Sequence, residues 1–306
     1  MADYDIIVAG AGPAGLTSAI YSARAGKKVL VIEKMNPGGQ IVYAPLVENY
    51  PGIPGMSGAD FAEALVEQTL SFGVEFAYEE VFSVTPGNPI IVQTDLEERT
   101  CDALILAIGT EHRKLGLDKE EDLIGAGISY CAVCDGAFYS GKEVVVVGGG
   151  NTALQDAVFL SDICSRVTLV NRREQLRGDK VLVQKIEQRQ NIEFLYPYTV
   201  KDLEETDGAV SGLVLEHSET GEEKVVKADG VFVAIGLKAC SEPFENLGIF
   251  EEHGYILSDT EKRTSVEGIF AAGDCCDKKV RQLTTACGDG ASAAVAACEY
   301  LDDLAV

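Results

Sequence analysis

Two cysteines with two residues between them, Cys131-Ala132-Val133-Cys134, are followed at once by a carboxylate and a glycine, Asp135-Gly136. A thiol pair at this spacing can close a disulfide without rearranging the backbone. It can then cycle: one thiolate attacks a substrate disulfide and the other resolves the mixed disulfide. The same spacing also suits one half of a zinc site. The choice between the two rests on what the rest of the chain delivers to these sulfurs.

Asp5-Ile6-Ile7-Val8-Ala9 is a short apolar run that reads as a buried parallel strand. Gly10-Ala11-Gly12-Pro13-Ala14-Gly15 follows, then a helical stretch to about Ala25 stopped by Gly26, then a strand over Lys28–Ile32 that ends in Glu33. In this setting Gly10 makes the turn, Gly12 lets a pyrophosphate approach the backbone, and Gly15 lets helix and strand pack closely. The helix start at Pro13 and Ala14 takes the pyrophosphate. Glu33, 23 residues after Gly10, accepts hydrogen bonds from a ribose diol.

The pattern returns in the strand Glu143–Val147, the turn Gly148-Gly149-Gly150-Asn151-Thr152-Ala153, a helix to about Ser161 and the strand Arg166–Val170. The residue 23 after Gly148 is Asn171, not an acid, and Arg172, Arg173 and Arg177 follow. Without the carboxylate nothing repels a phosphate on the ribose, and guanidiniums supply charge-assisted bonds to it. The first turn therefore points to an unphosphorylated ribose, as in FAD or NAD, and the second to NADPH. The competing reading of the arginines is a solvated basic patch at a helix start.

Each turn is followed by a β-rich segment with turn signals, at Thr85–Pro89 and Leu96–Arg99 in one copy and at Thr206–Gly208 and Glu219–Gly221 in the other. Each copy then returns to a buried strand ending in Ala-Ile-Gly, at Ala107–Gly109 and Ala234–Gly236. Gly268–Asp274 supplies one more strand with a glycine turn and an acid, and a helix of small residues runs from Arg281 to about Leu304. These features predict an α/β chain of two Rossmann-like three-layer dinucleotide-binding domains, each with a small β-meander, the second inserted in the first. The expected boundaries are 1–113 with 243–306 for the first domain and 114–242 for the second, joined by a two-strand hinge.

With 306 residues the chain is long enough for two cores. A net charge of −24 argues against nucleic acid and anionic membrane partners. No apolar run reaches the length of a membrane span, and the acidic start reads as neither a signal nor a transit peptide. Nine scattered cysteines suit a reducing cytoplasm rather than a secreted disulfide framework. Cys101, Cys164, Cys240, Cys287 and Cys298 read as small core residues, and Cys275-Cys276 as two free thiols. His112, His217 and His253 read as exposed loop or turn residues.

Taken together, Gly10–Gly15, Gly38-Gly39-Gln40, Glu48–Gly52, Cys131–Asp135, Gly148–Ala153, Arg172-Arg173 with Arg177, Gly273-Asp274 and Arg281-Gln282 resemble the low-molecular-weight bacterial thioredoxin reductases over essentially the whole chain. The resemblance implies FAD in the first domain, held also by Gly38, Gly39, Gln40, Asn49, Gly109, Asp274, Arg281, Gln282 and Leu283. It implies NADPH on Gly148, Gly150, Asn151, Thr152, Ala153 and the three arginines of the second. A homodimer and thioredoxin as electron acceptor are implied as well. By the same resemblance Cys134 meets the flavin, Cys131 attacks the partner disulfide, and Asp135 carries the proton, with a helix-capping acid as the other reading of Asp135. The inserted domain is expected to rotate on its hinge between half-reactions. Two departures stand out: Asn171 replaces a histidine, and Leu154-Gln155-Asp156-Ala157 lies where the family often carries two acids. The alternatives are a same-fold reductase with a ferredoxin-like donor or another small redox protein as acceptor, and a metal-binding module built from Cys131, Cys134, Cys275 and Cys276.

Overall fold

Alternation along Tyr4–Ala9 decides the architecture of the first half of the molecule. Ile7 and Ala9 join one apolar cluster and Ile6 and Val8 another, so this strand is covered on both faces. That is the burial expected of a central parallel strand. The computed structural model describes residues 2–44 and 46–304. It divides into two units, Met1–Glu111 with Lys238–Val306, and His112–Leu237.

In the first unit the parallel strands lie in the order Glu75–Ala77, Val29–Ile32, Tyr4–Ala9, Glu98–Leu106, with Ile269–Ala271 on the far side of Glu98–Leu106. Glu98–Leu106 is shared. Its second half pairs with the parallel strands, and its first half turns antiparallel to Ile90–Thr94, which pairs in turn with Val81–Thr85. One face of the sheet is covered by the helices Pro13–Arg24 and Leu283–Leu304, which pack on each other through residues such as Ala14, Leu16, Ala293 and Ala297. The other face meets Val84, Ile90 and Val92 of the meander and the segment from Ala239 to Ile256. Small residues in the long helix permit a close approach: a Cβ on Gly290 would stand 2.2 Å from the Ala14 carbonyl oxygen.

The second unit repeats the plan. Its parallel sheet runs Ile192–Leu195, Arg166–Val170, Glu143–Val147, Gly230–Val233, Ile128–Ser129. Alternate residues again feed two clusters. One contains Leu154, Ala157 and Leu160 of the helix Asn151–Ser161. The other contains Leu203, Val210, Leu213 and Leu215 of a separate antiparallel meander, Tyr198–Thr206, Ala209–His217 and Glu223–Lys227. The chain leaves and re-enters the first unit along two strands that pair with each other, Thr110–His112 and Leu237–Ala239.

Three side chains differ from expectation. Cys240 is half-buried and lines a cavity instead of a core, while the other six free cysteines are buried, the adjacent Cys275 and Cys276 among them. His112 lies in a strand, half-buried against the Tyr130 ring at 5.7 Å, and burial lowers its pKa. His217 ends a strand and sits edge-on to Tyr198 at 5.0 Å. For both histidines a ring partner that local sequence does not announce sets the environment. His253 is exposed in a turn. Among the described residues no helix is long and apolar enough to cross a membrane.

Candidate active site

Cys131 and Cys134 form a disulfide, with their Cα atoms 5.3 Å apart. Cys131 caps the one-turn helix Ala132–Asp135, and its sulfur accepts the Cys134 N–H at 3.2 Å. That N–H is placed at a helix start, where a donor of this kind can face a sulfur anion. Cys134 is exposed and Cys131 half-buried. Asp135 makes no helix-capping bond; its carboxylate instead accepts the Ser129 hydroxyl at 2.7 Å. The same Ser129 oxygen accepts the Cys131 N–H at 3.0 Å. Ser129 therefore ties the carboxylate to the backbone of the first cysteine. In the sequence only its place two residues before Cys131 marks it. Just ahead of the pair, Tyr130 donates to Glu120 at 2.5 Å. Glu120 is 2 % exposed and also accepts the N–H groups of Leu115 and Gly116, each at 2.7 Å.

Both glycine turns are built the same way. Gly10 N–H donates to Ile32 O and Gly148 N–H to Val170 O, each at 2.8 Å. A Cβ on Gly10 would stand 2.4 Å from Ala107 O, and one on Gly148 2.2 Å from Ala234 O. The repeated Ala-Ile-Gly thus begins with the residue whose backbone closes over the first glycine of each turn. The second glycine is different. Beside Gly12 the nearest atom to a Cβ would be 3.9 Å away, and beside Gly150 nothing lies within 4 Å. The turns are packed where the fold needs contact and open where a pyrophosphate would approach.

Around the first turn, Glu33 accepts the N–H groups of Ala11 at 2.9 Å and Met35 at 3.0 Å. Gly38 donates to Ala11 O at 2.7 Å, Gly39 lies against Gly12, and the Gln40 amide reaches Thr110 O beside Gly109. A cavity of about 250 Å³ opens next to Gly10 and Glu33, lined also by Lys34, Val81, Ile108 and Cys240. Gly273 packs against Ala14 and brings Asp274 to the same neighbourhood. One oxygen of Asp274, Oδ1, is buried with no hydrogen bond. It lies 3.5 Å from Lys278 Nζ, and burial raises the carboxyl pKa against that cation. A carboxylate oxygen that faces a cation but makes no hydrogen bond can still accept a ligand hydroxyl. Arg281 donates to the carbonyls of Asp274 and Cys276, each at 3.1 Å, and stacks on Tyr255. Asn49 donates to Gln282 at 3.0 Å, and Leu283 starts the long helix. The open turn and the cavity fit a dinucleotide.

In the second unit Asn151, Thr152 and Ala153 begin the helix after the turn, and Asn151 exchanges hydrogen bonds with Asp179 at 3.0 and 2.7 Å. Arg172, Arg173 and Arg177 are exposed, and among the described residues none of them makes an ion pair. In a chain of net charge −24, three exposed guanidiniums within six residues, without an ion pair among the described residues, are available to an anion. Among the described residues no cluster of His, Cys, Asp or Glu is placed to hold a metal ion, and Cys131 and Cys134 bond to each other.

The chain belongs to the pyridine nucleotide-disulphide oxidoreductases, whose family pattern matches residues 4–290. It is accordingly a disulfide oxidoreductase of a family that uses a flavin and a pyridine nucleotide. Among its relatives is the thioredoxin reductase of Bacillus subtilis (strain 168), 44% identical over 98% of this chain and 96% of that one. Among solved structures, Lactococcus lactis thioredoxin reductase in the FR conformation superposes with a TM-score of 0.92 at 36% identity, covering 98% of this chain and 100% of that one. T. acidophilum thioredoxin reductase gives 0.89 at 33% identity over 99% and 100%.

Asp156 occupies the helix position where acids were expected, and burial alone pushes it up to about 7. In the unfolded chain it ionises near 3.8. Between those values the folded protein holds a proton that the unfolded chain has lost, so rising pH favours unfolding. The penalty is absent below about pH 4 and complete above about pH 7. Asp156→Asn is therefore expected to stabilise the protein at pH 8 by on the order of 2 to 4 kcal/mol, and to bring no gain near pH 4. Thermal unfolding of both proteins across that range checks the sign.

Proposed function

We propose that the chain is an NADPH-dependent thioredoxin reductase. FAD binds the unit Met1–Glu111 with Lys238–Val306, and NADPH binds His112–Leu237. The observation that carries this reading is a disulfide, Cys131–Cys134, in the same unit as a glycine turn flanked by three unpaired arginines. Glu33 and the cavity beside it receive the adenosine end of FAD, Gly12 its pyrophosphate, and Asp274 a hydroxyl of its linker. The chemistry that a bound flavin supplies is acceptance of a hydride from nicotinamide and delivery of two electrons to a disulfide.

The protein's own part follows from the geometry. Once the pair is reduced, the Cys134 N–H stabilises the Cys131 thiolate. That thiolate attacks one sulfur of the thioredoxin disulfide, and the other sulfur leaves as a thiolate. Cys134 then attacks the Cys131 sulfur of the mixed disulfide and displaces the thioredoxin sulfur, which re-forms the Cys131–Cys134 bond and releases thioredoxin as a dithiol. Asp135, held by Ser129, moves the proton to and from the sulfurs. Because the disulfide and the nicotinamide site share one unit and the flavin occupies the other, the two paired strands Thr110–His112 and Leu237–Ala239 serve as a hinge for rotation between half-reactions. A homodimer in the cytoplasm completes the reading.

The test is turnover with oxidised thioredoxin: NADPH oxidation should depend on thioredoxin and exceed that with NADH. Turnover with a reduced ferredoxin but not with NADPH would contradict it. Asp135→Asn should slow thioredoxin reduction roughly a hundredfold. Reduction of the bound flavin by NADPH should stay at the wild-type rate, as stopped-flow absorbance would show.

A further inference from the structure

We infer that Asn171 determines preference for a 2′-phosphate by folding the arginine loop from beneath, as a positioning residue. The inference rests on the reading of the second unit as the NADPH site. Asn171 is only 8 % exposed, so its side chain points into the fold rather than toward a nucleotide. Its Nδ2 donates to Arg173 O at 2.6 Å and to Gln175 O at 3.2 Å. Ser218 holds the carbonyl of Arg172 at 3.2 Å. The loop is also tied to the glycine turn, because Arg177 N–H donates to Gly149 O at 2.7 Å. The Asn171 amide itself fills the space over Gly149, where a Cβ would stand 2.5 Å from Oδ1.

The internal repeat shows what this side chain does. At the matching place in the first unit, Glu33 is an acceptor and binds two backbone N–H groups, those of Ala11 and Met35. At 171 the polarity is reversed: a donor binds two backbone carbonyls. A carboxylate at 171 could not donate to either carbonyl. One exchange of acid for amide therefore removes a group that repels phosphate and also fixes the backbone from which Arg172 and Arg173 extend. Pre-organised guanidiniums lose less freedom on binding, so their bonds to a phosphate count for more.

Calorimetric binding of 2′,5′-ADP and 5′-AMP to the purified protein separates the two layers of the claim. Wild type should prefer 2′,5′-ADP; equal binding would overturn the NADPH reading itself. Asn171→Ala should weaken 2′,5′-ADP about tenfold and leave 5′-AMP within about twofold. Steady-state kinetics should match, with a higher KM for NADPH, an unchanged KM for NADH and an unchanged kcat. If Asn171→Ala still binds 5′-AMP and keeps the full wild-type preference, the inference is wrong while the NADPH reading stands. Should that variant fail to fold, the nearly isosteric Asn171→Leu decides by the same criterion, because it keeps the volume under the loop and donates to neither carbonyl.

Discussion

Cys134→Ser is expected to cut thioredoxin-dependent NADPH oxidation to below roughly a thousandth of the wild-type rate, because no second sulfur remains to close the disulfide. The loss should be confined to the disulfide. NADPH should still reduce the bound flavin, since nothing in the glycine turns or the arginine loop is touched. The variant also separates the roles of the two sulfurs. Cys131, whose sulfur accepts the Cys134 N–H, keeps its place at the helix start. It can still attack oxidised thioredoxin, and without Cys134 the mixed disulfide persists. A non-reducing gel should show that adduct with Cys134→Ser and none with Cys131→Ser. The reverse pattern would exchange the roles assigned to the two cysteines.

The second large effect is expected at the first glycine turn. A Cβ on Gly15 would stand 1.9 Å from the Gly10 carbonyl oxygen, so Gly15→Ala must push the helix away from the turn. Overpacking against backbone has no flexible side chain to absorb it, and a loss of about 3 kcal/mol or more with a colourless product is expected. Gly12→Ala is the informative contrast. Its Cβ would meet nothing closer than 3.9 Å, so the fold accepts it, but the methyl occupies the approach to the backbone. Flavin affinity should fall roughly a hundredfold while the melting temperature of the flavin-free protein is unchanged. Equal destabilisation by the two substitutions would mean that Gly12 serves packing rather than a ligand.

The features legible in the sequence were the local ones. Runs such as Ile6–Val8 and Val144–Val147 pair β-branched residues with a following glycine turn, and both lie in buried parallel strands. The spacing of Cys131 and Cys134 foretold a disulfide because the geometry is set within one helical turn. What escaped the sequence depends on residues brought together by the sheet. Ala107 and Ala234 close over glycines about ninety residues earlier in the chain, so their repeat was visible but its cause was not. Asn171 was legible as a missing acid and not as a donor buried beneath the arginines. Glu120 and Ser129 carry no motif, because a buried carboxylate or hydroxyl is defined by its partners.

The central claim is that electrons from NADPH leave through the Cys131–Cys134 pair to a protein disulfide, and an anaerobic titration tests it most directly. NADPH should bleach the flavin band, and oxidised thioredoxin added next should restore it. Two new thioredoxin thiols should appear for each NADPH consumed. A band that recovers only when oxygen is admitted, with no thiols formed on thioredoxin, would contradict the claim.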